Sequence, residues 1–225
     1  MSGKEIVLGI TGSIGAYKAA DVVRRLKERG YGVTCVMTKE ATQFLSPLTL
    51  QALSERQVHV DLFDPHDLPV IHTKLADQAS LVLVAPATAN VIGKLANGLA
   101  DDLLTCIVLA TKAPVLVAPA MNVHMYQHPT VQGNVVRLKK LGCRFIGPAV
   151  GQLACGYEAI GQLAEVDEIV QTVTQLVPAP VAAVAAPARV APPHARNSHA
   201  KPRLARAASP VRRLGRKRAV KSRRR

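Results

Sequence analysis

Five short apolar runs, each followed by a turn of glycine, proline or small polar residues, set the architecture of this chain. Ile6–Ile10 runs into Thr11-Gly12-Ser13-Ile14-Gly15 and then into a helical stretch from about Ala16 to Arg29, closed by Gly30. Val33–Met37, Leu81–Ala85, Val115–Ala118 and Cys143–Ile146 repeat the pattern, with helical spacing between them. Apolar runs of this length with no polar alternation have no wet face, so they read as strands covered on both sides, as in a parallel sheet. The predicted fold is an α/β three-layer sandwich with a flavodoxin-like or Rossmann-like parallel sheet, which places ligands at the carboxyl ends of its strands. The chemically unusual segments follow strands, as that rule requires: Gly12–Gly15, Thr38, Pro86–Asn90 and Pro119–Asn122.

Tryptophan is absent and aromatic residues make up 3%, so the core must be aliphatic and packed between layers. A length of 225 residues suits one such core. The formal charge of +14 is unevenly placed. Residues 1–177 carry 15 Lys/Arg and 15 Asp/Glu, whereas residues 178–225 carry 14 Lys/Arg and no acid. The body is therefore neutral, and a nucleic-acid role for it loses its electrostatic support. Residues 178–225, rich in Pro, Ala and Arg, are expected to be a disordered basic tail. An anionic partner, bound weakly and with strong salt sensitivity, is the one function such a tail suggests. The four cysteines form no CxxC pair and have no histidine at ligand spacing, which argues against a disulfide framework or a metal site. The N-terminus reads as a buried strand and not as a signal peptide, and no apolar run has the length of a membrane span. A soluble, cytoplasmic setting is the expectation.

Four motifs carry chemical potential. Gly12-Ser13-Ile14-Gly15 lies between a strand and a helix, where backbone N–H groups suit a phosphate, although it is not a strict GxGxxG. Thr88 and Asn90 present a hydroxyl and an amide after the central strand, or else simply cap a helix; Asp101 and Asp102 read as caps as well. Pro119-Ala120-Met121-Asn122-Val123-His124-Met125 puts a neutral amide beside two methionines. An amide donates to a carboxylate without neutralising it, which matters when that carboxylate must leave as CO2. Gly151-Gln152-Leu153-Ala154-Cys155-Gly156 reads as a glycine-flanked flap whose cysteine is a fair proton donor once closed over a ligand. His72 opens a helix; its local pattern favours a cap or surface role over catalysis.

Taken together these segments resemble the homo-oligomeric flavin-containing cysteine decarboxylases, and within them the branch acting on 4'-phosphopantothenoylcysteine. The similarity runs from about Ile6 to Val170, through GITGSIGAYKAA, VMTKEATQFLSPLTLQALS, IHTKLADQASLVLVAPATANVIGKLANGLADDLL, APVLVAPAMNVHMY and LACG. The resemblance implies FMN as cofactor, with Gly12, Ser13, Ile14 and Thr38 at its phosphate and Thr88, Ala89, Asn90 and Ala120 at its ring. It implies His72 as active-site base, Asn122 at the substrate carboxylate and Cys155 as proton donor, in a homo-oligomer such as a trimer or dodecamer. Residues 1–177 would form the FMN-dependent decarboxylase domain.

The implied chemistry explains the parts. A cysteine carboxylate has no electron sink, so the thiol-bearing carbon is first oxidised, at the expense of FMN, to a thioaldehyde. Loss of CO2 then leaves an enethiolate, with sulfur as the sink. Return of the electrons and a proton gives 4'-phosphopantetheine, with no net redox change. Two departures from the family pattern stand out. Tyr126 replaces the usual Trp, and Gly161-Gln162-Leu163 replaces Gly, then Arg or Ala, then Met. The second, together with the basic tail, is the ground for an alternative reading, a flavin-binding regulatory protein with weakened turnover. A peptidyl-cysteine decarboxylase, which stops at the enethiol and needs no such cysteine, is a further alternative.

Overall fold

The computed structural model describes residues 4–65, 67–152, 156 and 158–179. Cys155 and the tail from residue 180 lie outside the described residues. Strands β1 (Glu5–Ile10), β2 (Gly32–Met37), β3 (Leu81–Ala87), β4 (Val115–Pro119) and β5 (Arg144–Phe145) form one sheet in the order β2-β1-β3-β4-β5. Every pairing is parallel. This is the flavodoxin-like order, and the predicted sandwich is the fold. The last strand is shorter than its apolar run because β5 sits at the edge, pairing only with β4, and Arg144 is exposed.

Eight helices accompany the sheet among the described residues: α1 (Ala19–Glu28), α2 (Pro47–Ser54), α3 (Ile71–Gln78), α4 (Ala89–Asn97), α5 (Leu103–Ala110), α6 (Val123–Gln127), α7 (Pro129–Lys140) and α8 (Val166–Leu176). Side chains alternate across each strand. In β1, Ile6, Leu8 and Ile10 join α1 and α8 in one core, while Val7 joins α3, α4, α5 and α7 in the other. All seven residues of β3 are buried, as a strand covered on both faces requires. Helix α1 buries Ala19, Val22, Val23 and Leu26 and turns Asp21, Arg24, Arg25 and Glu28 outward. The predicted helix from Ala16 begins as a 3-10 turn over Ile14–Lys18 and ends at Gly30, whose φ of 83° only glycine adopts easily.

One element escaped the reading of apolar periodicity. Strands β6 (Ala149–Gln152) and β7 (Glu158–Gln162) pair antiparallel as the two stems of the glycine-flanked segment. Neither stem carries a run of buried apolar residues, so nothing in the local pattern announces a strand.

Cys35 fills the core with no exposure, and burial pushes its thiol from the ordinary 9.0 up to about 12. Burial also raises Cys106 and Cys143. Because the folded-state value of Cys35 lies above the unfolded one for an acid whose neutral form is buried, its contribution is intact below pH 9 and is lost as pH rises towards 12. Native Cys35 should resist a maleimide at pH 8 and react once guanidinium unfolds the chain; peptide mapping of the labelled protein checks this.

Candidate active site

The chain passes from β2 on one side of β1 to β3 on the other, so a crevice opens between β1 and β3 at their carboxyl ends. A cleft of about 270 Å³ lies there, lined by Gly12, Ser13, Thr38, Glu40, Thr88, Ala89, Asn90, Val91, Ala120, Met121 and Met125. It shares Thr38 and Glu40 with a second cleft of about 750 Å³ that reaches Asp61, Phe63, Lys94, Asp101 and Asp102. The smaller cleft is just below the roughly 300–1,000 Å³ of ligand sites, and its neighbour lies within that range.

Seven of the sequence-predicted residues therefore meet in one place: Gly12, Ser13, Thr38, Thr88, Ala89, Asn90 and Ala120. The first of these form the turn after β1. Ser13 accepts a hydrogen bond from Gly15 N at 3.4 Å and caps the 3-10 turn. Among the described residues, the N–H groups of Gly12 and Ile14 donate to no backbone carbonyl, which is what a phosphate cradle requires. Gly12 also has a steric reason to be glycine: a Cβ there would stand 2.5 Å from Glu40 Cβ. Ile14 is 59% exposed beside this turn. Donors at one end and Val91, Ala120, Met121 and Met125 at the other suit a phosphate joined to a flat, largely apolar ring.

The capping readings hold alongside. Thr88 accepts from Val91 N at 3.4 Å, so it both caps α4 and lines the cleft. Asp102 caps α5 in a reciprocal box with Thr105. Lys94 binds Asp101 and Asp102 at 2.8 and 3.0 Å. The hydrogen bond to Asp101, aided by Asp102, raises the Lys94 ammonium, and Lys94 in turn lowers the Asp101 carboxyl.

Asn122 follows Met121 and caps α6, its side-chain oxygen accepting from His124 N at 2.8 Å. The turn holding it is stitched to the hairpin: Met121 N donates to Gly161 O at 3.0 Å. Gly161 has a φ of 145°, and any Cβ there would strike the Met121 carbonyl oxygen. Leu163 is 2% exposed, with its Cβ 3.5 Å from where a Gly15 side chain would begin. Leu163 thus packs in the apolar core with Ala16 and Ala120, beside the Gly15 turn.

His72 is the second residue of α3, half-buried, and does not line either cleft. Helix α3 packs through Ile71, Leu75 and Ala76 into the core that holds Val7 and Val84. Among the other histidines, His59 is accounted for by structure. It bonds Asp67 at 2.7 Å, with both side chains nearly buried, and steadies the loop before α3. Sequence reasoning missed Glu40 and Thr11, which enter the site through contacts with residues far along the chain and carry no local signal.

The model of the Flavoprotein family matches residues 1–178. The chain belongs to this family. Two curated relatives share much of this flavoprotein's sequence. The coenzyme A biosynthesis bifunctional protein CoaBC of Bacillus subtilis (strain 168) is 49% identical over 172 residues, 76% of this chain and 42% of the relative. This chain thus spans less than half of that relative's length. A probable phosphopantothenoylcysteine decarboxylase of Streptococcus mutans is 45% identical over 175 residues, 76% of this chain and 98% of the relative. Among solved structures, a cysteine-to-serine mutant of PPC decarboxylase complexed with pantothenoylaminoethenethiol superposes with a TM-score of 0.68 at 32% identity, covering 76% of this chain and 97% of that one. The FMN-dependent cysteine decarboxylase SpaF gives 0.66 at 29% identity, covering 78% and 98%.

Proposed function

We propose that this chain is an FMN-dependent decarboxylase converting 4'-phosphopantothenoylcysteine to 4'-phosphopantetheine, a step of coenzyme A synthesis. The observation that carries the reading is the meeting, at one switch-point cleft, of the Gly12–Ser13 turn, Thr88–Asn90 and the Ala120–Met125 segment, in a chain of this family. Gly12, Ser13, Ile14 and Thr38 hold the FMN phosphate, while Thr88, Ala89, Asn90 and Ala120 bracket its ring. FMN, when bound, supplies the two-electron chemistry that no side chain provides. Asn122 orients the substrate carboxylate with a neutral amide, so no fixed cation opposes its departure as CO2. His72 is the base, and Cys155 returns a proton to carbon.

The setting of His72 supports a homo-oligomer, with His72 of one chain serving a cleft completed by another. Ile14, Tyr17, Phe44 and Leu48 are exposed on the segments after the neighbouring strands β1 and β2, where a second copy would cover them. Light scattering after gel filtration should then give a mass above the 24.0 kDa of one chain. Among the described residues no helix is long and apolar enough to cross a membrane. The buried, well-packed Leu163 favours a working enzyme over the regulatory alternative. The deciding experiment incubates the FMN-loaded protein with 4'-phosphopantothenoylcysteine and looks for 4'-phosphopantetheine by mass spectrometry. Absence of product from folded, yellow protein overturns the reading.

A further inference from the structure

Strands β1 and β3 pair in register from Ile6–Leu81 to Gly9–Val84, and there the pairing ends. The sheet must part at this point, since the cleft lies between the two chain ends. Parting leaves polar backbone groups of β3 and its loop without strand partners in a dry setting. Thr11, buried with no exposure, meets that need with one hydroxyl. Its Oγ1 donates to Pro86 O at 2.7 Å and accepts from Thr88 N at 3.0 Å. The phosphate turn begins at the next residue, Gly12, and the ring-binding segment at Thr88.

We infer that Thr11 is a positioning residue that fixes the width of the switch-point crevice, holding the Gly12–Ser13 turn and the Thr88–Asn90 loop at the separation FMN requires. The inference rests on the flavin reading above. The two bonds join segments 75 and 77 residues apart, and both functions of the hydroxyl are used. Valine has nearly the shape of threonine and neither function, so Thr11→Val removes the partner of the buried Pro86 O and frees Thr88 N at the cleft wall. Serine keeps the hydroxyl and loses only a methyl group.

The test titrates apoprotein with FMN, following quenching of flavin fluorescence, and records the absorption spectrum of the bound flavin. Thr11→Val should weaken FMN binding about tenfold and shift the bound-flavin spectrum, while Thr11→Ser stays close to the unaltered protein. A folded Thr11→Val protein with unaltered affinity and spectrum overturns the assignment. Should Thr11→Val not fold, Thr11→Ser and Thr11→Ala decide: affinity must follow the hydroxyl, and equal affinities overturn the role. Failure of the unaltered protein to take up FMN is a separate outcome, which sinks the flavin reading and this assignment with it.

Discussion

Asn122→Asp should abolish most decarboxylation while leaving the protein folded and yellow. The side-chain oxygen of Asn122 caps α6 by accepting from His124 N, and aspartate is as good a cap as asparagine. The substitution therefore keeps the local structure, the Met121 N to Gly161 O stitch and the flavin cleft. What changes is the ligand side of the group. An amide that can donate to the substrate carboxylate becomes a carboxylate that repels it. A loss of about 10²–10³ in kcat/KM is expected, the scale seen when one oriented donor is removed from an active site. FMN affinity should be about unchanged. If the variant turns over normally, Asn122 is a cap and nothing more, and the proposed carboxylate site moves elsewhere.

Cys155→Ser should change the product and not merely slow the reaction. The role proposed for Cys155 comes after CO2 has left, so its loss spares the earlier steps. The expected product is the enethiol, lighter than 4'-phosphopantetheine by two hydrogens, with the bound flavin bleached because it retains the electrons. The saturated product should fall by about 10²–10⁴, the range for removing a positioned general acid. A cysteine-to-serine mutant of PPC decarboxylase has been solved with an aminoethenethiol bound, which is the kind of species expected here. Mass spectrometry of a single turnover checks it. A normal yield of saturated thiol would assign the proton to another group and remove the distinction from peptidyl-cysteine decarboxylases.

The Gln162-Leu163 departure falls in a paired strand and at a packed position. Leu163 is buried beside the Gly15 turn, a packing role that Leu and Met fill about equally well. Gln162 lies in β7, close over Gly151 of the facing stem. The hairpin base is thus held by backbone pairing and by the Gly161 stitch, neither of which needs an arginine.

Much of this protein is legible in its residues read in order. The uninterrupted apolar runs of β1 to β4 have no wet face, so a sheet covered on both sides follows directly. Glycine after β1 and the small and polar residues after β3 and β4 stand out in the sequence, and Gly12, Thr88, Asn90 and Ala120 line one cleft. Periodicity reports which face of a segment is dry; it does not report which strand lies beside which. That is why the Thr11 bridge to Pro86 and Thr88, the press of Glu40 on Gly12 and the stitching of Gly161 to Met121 came only with the tertiary structure. Each joins residues whose neighbourhood is created by the strand order β2-β1-β3-β4-β5 or by the hairpin folding back on the sheet edge. The local sequence settles what each segment can offer chemically, and the packing of distant segments decides which offers meet.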